Sequence, residues 1–159
     1  MITIKNLVTP GIYTLEEIFI GLKPSKVLLD VFKTQKEVDD VFAKTKVIVE
    51  KKDHYMSVKN DDATIMVGLN YLQDADPKIL YLDIVHELVH VKQQRAGKNL
   101  YDKSYCYVDR PTEIEAYDIT VKEAKRLGMS NKEIIDYLKV EWITAEEHKK
   151  LAAHVGIAF

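Results

Sequence analysis

Asp76 to Gly97 reads DPKILYLDIVHELVHVKQQRAG, and the reading of this stretch decides the rest of the chain. Asp76 can cap a helix, Pro77 suits the first helical position, and Gly97 can close the helix in a left-handed conformation. The pattern predicts one helix over 76–97. In its middle lies HELVH, with His86 and His90 four residues apart and therefore on one helical face. Two imidazoles so placed suit a single zinc ion, and Glu87 stands beside them where it can take a proton from a water activated by that ion. Ile84, Val85, Leu88, Val89 and Val91 surround the motif with apolar side chains, which keeps the helix buried and the local dielectric low. Two histidines and a glutamate set into such a run need partners, because buried polar groups without them are costly.

Working outward, helix starts are legible at Thr14–Glu17, Thr34–Glu37, Thr112–Glu115, Ser130–Glu133 and Thr144–Glu147. In each Ser/Thr-x-x-Glu box the hydroxyl can accept from the third helical N–H while the glutamate reaches back to the cap. Apolar residues at helical spacing follow, as Ile134, Ile135 and Leu138 do after Ser130. Between 46 and 70 the pattern changes to short β-rich runs at 46–49, 55–58 and 64–69. Lys52-Asp53 and Asn60-Asp61-Asp62 separate them as turns. The expectation is an α+β chain of one domain over 1–159. Its parts are a helical N-terminal segment (1–45), a small antiparallel three-stranded meander (46–70), the motif helix (76–97) and a helical C-terminal half (112–159).

Composition narrows the function. The chain has 159 residues with 47% hydrophobic and 30% charged residues, which is enough for one ordinary core and not a disordered composition. A net charge of -2 argues against bulk electrostatic binding of nucleic acid. From Val121 to Phe159 seven Lys/Arg face six Asp/Glu, so the last helices show no basic face for DNA. The one cysteine, Cys106, excludes an internal disulfide framework and a cysteine-rich metal site. No apolar run reaches the length of a membrane span and no signal-peptide core is apparent, so the expectation is a cytoplasmic protein with no membrane partner.

A catalytic zinc with one open position needs a third protein ligand. A histidine six residues beyond His90 would fall at Ala96, so that arrangement is absent. The better source is PTEIEAY, where a new helix begins. Glu113 and Glu115 are two apart, so a helix sends them to different sides. Glu113 shares the more apolar stripe with Ala116, Tyr117, Thr120, Ala124 and Leu127, whereas Glu115 lies with Asp118, Lys122 and Arg126 and has a capping role with Thr112. Periodicity favours Glu113 as the ligand.

HELVH on one helix, followed after a loop by a helix that opens with Glu-x-Glu-Ala, resembles the gluzincin metallopeptidases. The nearest likenesses are the minigluzincins and the ImmA/IrrE-type peptidases, over roughly residues 62–128. The resemblance implies a zincin-like fold and a zinc-dependent peptidase in which His86, His90 and Glu113 hold Zn2+ and Glu87 is the general base. Departures are Val89, where the ImmA/IrrE-type motif commonly has glycine, and Tyr117, where such families often carry Asp or Asn to orient a ligand histidine. Asp118 or Asp83 is then the candidate for that orienting contact.

The expected partner is a peptide or protein substrate. Tyrosines of the 101–107 loop, Tyr117, His148 and His154 are candidates for stabilising an oxyanion. The apolar C-terminus AAHVGIAF is expected to dock on the core, or else to lie across the site and hold it latent. Two other functions fit the same motif: a regulatory peptidase that cuts one repressor-like partner, and a non-catalytic zinc-binding interaction protein whose fourth ligand is His148, His154 or Cys106.

Overall fold

The helix expected around HELVH runs from Pro77 to Arg95 in the computed structural model, which describes residues 2–5 and 7–159. Both of its ends are closed as the sequence foretells. The Asp76 carboxylate accepts from the backbone N–H groups of Lys78 and Ile79 at 2.8 and 3.3 Å. At the other end Gly97, at φ +85°, donates to the Gln94 carbonyl at 2.9 Å, and Lys98 donates to that of Gln93 at 3.0 Å. This double closure satisfies carbonyls that a bare helix end leaves open, and only glycine takes the required φ without strain.

Two compact units make up the chain, one ending at Lys98 and one from Asn99 to Phe159. The first contains, in order, β1 (Thr3–Ile4), β2 (Gly11–Thr14), α1 (Leu15–Ile18), β3 (Phe19–Ile20), α2 (Val27–Phe32), α3 (Gln35–Lys44), β4 (Lys46–Glu50), β5 (Met56–Val58), β6 (Ile65–Gly68), α4 (Leu69–Asp74) and α5 (Pro77–Arg95). The second contains a 3-10 turn (Tyr107–Asp109), α6 (Pro111–Arg126), α7 (Asn131–Leu138) and α8 (Ala145–His154). The α+β class therefore holds, with strands gathered in the first unit and a helical second.

The sheet differs from the expected three-stranded meander. It has four strands in the order β2-β4-β6-β5, and β4 runs parallel to β6 with Val47 opposite Ile65 and Glu50 opposite Gly68. β5 and β6 form the expected hairpin across the Asn60-Asp61-Asp62 turn, where the Asp62 carboxylate accepts from the Thr64 N–H at 3.0 Å. The chain then places β6, not β5, beside β4. Burial explains the choice: Ile65, Val67 and Gly68 are buried, as suits a central strand, whereas Met56 and Ser57 are half-buried and suit an edge. The helical reading of 1–45 is likewise corrected, because it overlooked β2, which pairs antiparallel with β4 through Ile12 opposite Ile48, and the short β1–β3 pair.

Between β4 and β5 the chain passes very close to the end of β6. A side-chain carbon built on Gly68 would sit 2.0 Å from the His54 carbonyl oxygen, so only glycine leaves room there. The same crossing is tied by the Gly68 N–H donating to the Tyr55 carbonyl at 2.9 Å. α5 packs on α2 and β5, and every residue from Leu80 to Val91 except Asp83 is buried. A helix covered on all sides can carry polar groups only where those groups have partners.

In the second unit the helix starts follow the boxes at Ser130 and Thr144, both reciprocal, with the Glu133 and Glu147 carboxylates accepting from the cap N–H groups at 2.7 Å. The Thr112 box fails. Pro111 takes the first helical position of α6 and Arg110 the cap, which puts Thr112 inside the helix with its hydroxyl 3.4 Å from the Leu100 carbonyl. The C-terminal tail docks within this unit. Ile157 is buried, Asn131 donates to the Ala158 carbonyl at 2.7 Å, and the Phe159 ring lies 4.9 Å from that of His148.

Candidate metal centre

α5 positions His86 and His90 one turn apart, and both are buried. Their rings meet edge to face with centroids 4.7 Å apart, and their Nε2 atoms approach to 3.0 Å. His90 is oriented from behind. Its Nδ1 lies 2.7 Å from the Oε1 of Gln93, which is 1% exposed. An amide oxygen only accepts, so His90 carries its proton on Nδ1 and turns the Nε2 lone pair toward His86. Gln93 thus does for His90 what the sequence reading assigned to Asp118 or Asp83. Asp118 instead pairs with Lys122 on the outer side of α6 at 2.7 Å, and Asp83 accepts from the Tyr71 hydroxyl. The Gln93 role was missed, although its position three residues beyond His90 on the same helix was a usable signal.

Glu87 is buried beside the histidines. On α6, Glu113 is buried at 5% exposed and Glu115 is half-buried, the order that periodicity gives. The capping argument against Glu115 falls with the Thr112 box; the burial argument remains. His86, His90 and Glu113 form a possible metal-binding group, each offering one ligand atom with all three atoms within 4.8 Å of one another. The donor set fits zinc: two neutral imidazole nitrogens and one carboxylate oxygen, all shielded from water, match the three-ligand sites that keep a coordination position open. Among the described residues this is the only such group of three or more.

The other candidates have structural employment. His148 Nε2 lies 2.7 Å from the Ile135 carbonyl and holds α8 to α7. The Tyr107 and Tyr117 hydroxyls lie 2.7 Å apart, while Tyr101 and Tyr105 are exposed. His54 is half-buried with its Nε2 2.9 Å from Glu50. His154, Lys150 and Cys106 all converge on Asp109, at 3.0, 2.6 and 3.0 Å. The Cys106 thiol, then Lys150 and His154, hold the Asp109 carboxyl well below the usual carboxylate range.

No protein-family model, no curated protein and no solved structure matches this chain. Among the described residues no helix is long and apolar enough to cross a membrane.

Proposed function

We propose that the chain is a zinc-dependent metallopeptidase of gluzincin type, with His86, His90 and Glu113 as the ligands and Glu87 as the general base. The observation that carries this reading is the buried group of two imidazoles and one carboxylate with Glu87 adjacent in sequence. Three protein ligands, not four, support catalysis over a closed structural site. His148, His154 and Cys106, the candidate fourth ligands, each have another partner in the second unit.

A bound zinc ion supplies Lewis acidity, which makes water a nucleophile at neutral pH and polarises a carbonyl. The chain's own residues do the rest. Gln93 fixes the His90 tautomer so that Nε2 is available as a ligand, and the apolar side chains of α5 around the motif exclude bulk water. The Glu87 carboxylate takes the proton of the attacking water and returns it to the leaving nitrogen.

Zinc content measured beside Glu87→Gln, Glu113→Ala and Glu115→Ala tests the assignment. The expected result is stoichiometric zinc in the wild type and in Glu87→Gln, with peptide hydrolysis lowered by about 10³-fold in the latter. Loss of zinc in Glu115→Ala but not in Glu113→Ala would reverse the choice of ligand, and a wild type that takes up no zinc would sink the reading.

A further inference from the structure

Arg110 has a fully used backbone and a side chain whose Nε has no hydrogen-bond partner. Its N–H donates to the Tyr107 carbonyl at 3.3 Å, and its own carbonyl accepts from Glu113 and Ile114 at 3.0 Å. Its Nε, by contrast, is buried without a hydrogen-bond partner, and the charge of the guanidinium acts on Asp102, whose carboxyl is held low chiefly by the Ser104 backbone N–H and least by Arg110. A half-buried planar cation thus keeps one buried donor, Nε, without an acceptor.

Placement makes this more costly. Arg110 caps α6 at its N-terminus, where the helix dipole disfavours a cation. Glu113 lies three residues on, and three residues is also the spacing at which Arg126 binds Glu123 through two hydrogen bonds of 2.8 and 2.6 Å. Arg110 does not take the carboxylate at that reach. Its guanidinium instead lies 5.9 Å from the centroid of the Tyr107 ring. That ring is itself fixed, by the Tyr117 hydroxyl and by the edge-on Trp142 ring at 5.6 Å. The fork therefore lies by an anchored aromatic ring, with its Nε donor uncommitted.

We propose that Arg110 is a specificity residue that receives a carboxylate of the peptide substrate, one helical turn ahead of Glu113. Guanidinium and carboxylate match in charge and in two-point geometry, and a peptide offers that group at its C-terminus or on Asp and Glu side chains. Naming a peptide as the carrier rests on the peptidase reading; the anion-receiving role of Arg110 does not.

The test uses fluorescent peptides in matched pairs, ending in carboxylate or carboxamide, or carrying internal Glu or Gln. They are titrated by anisotropy into the zinc-loaded Glu87→Gln protein, with the fluorescence of the one tryptophan, Trp142, as a second readout using N-acetylglutamate. The carboxylate member of one pair is expected to bind about 10-fold tighter or more. That preference should vanish in Arg110→Gln and persist in part in Arg110→Lys, which keeps the charge and guards against a folding defect. The pair that discriminates identifies the carboxylate. Equal binding of both members of every pair, or a preference that survives Arg110→Gln, overturns the proposal, as does an absence of binding by peptides and N-acetylglutamate alike. Equal cleavage of both members by the wild type also overturns it and leaves the peptidase standing. Arg110-dependent discrimination by a protein that cleaves neither member would do the reverse.

Discussion

The two ends of α6 carry the same pair of residue types at the same spacing and treat them oppositely. At the C-terminal end Glu123, 4% exposed, is chelated by Arg126, so its charge is neutralised and the helix dipole is complemented. At the N-terminal end Glu113 is equally buried, yet it groups with His86 and His90, and Arg110 keeps a buried Nε without a hydrogen-bond partner. A buried acid held by its neighbouring arginine is structure. A buried acid grouped with two imidazoles is a possible metal ligand.

Breaking the N-terminal end should give the largest effect. Glu113→Ala is expected to abolish stoichiometric zinc binding and peptide hydrolysis while leaving the thermal midpoint of the zinc-free protein close to wild type. A variant that keeps its zinc would collapse the contrast between the two ends. Gln93→Ala comes next, with zinc affinity expected to fall about 10- to 100-fold, read by competition with a chelator, because His90 loses the acceptor that fixes its tautomer.

The C-terminal end should respond in stability alone. Glu123→Ala strips two hydrogen bonds from Arg126, and a cost of about 1–3 kcal/mol in urea unfolding is expected, with zinc content unchanged. The smallest effect belongs to Asp109, in the turn that leads into α6. Its folded carboxyl is held below the ordinary value, so its stabilising contribution is complete above about pH 4 and drains away as pH falls below that. Thermal melts of wild type and Asp109→Asn should differ modestly at pH 7 and draw together only as pH falls below about 4. A gap that widens in acid would contradict the sign.

Much of this contrast was legible beforehand. Capping residues and a buried apolar run are local signals, so Asp76, Ser130, Thr144 and the extent of α5 follow from sequence with little tertiary help. The greater burial of Glu113 was legible because the 3.6-residue period survives in α6, even though Pro111 overrode the Thr112 box. Strand order was not legible, since β4, β5 and β6 are all short and apolar, and their pairing is settled by burial across the sheet. Gln93 and Arg110 escaped for a different reason: a glutamine and an arginine carry no message until their partners, or the lack of them, are placed in space.

The two glycines on either side of α4 and α5 fail differently when replaced. Gly97 needs a torsion angle and has open space around it, so no distant change restores it. Gly68 needs only room beneath the His54 carbonyl, its own φ of -74° being ordinary. In genetic terms the first lesion has no second-site suppressor, whereas the second has an address for one: the loop from Lys52 to His54, which by giving way would readmit a side chain at the end of β6.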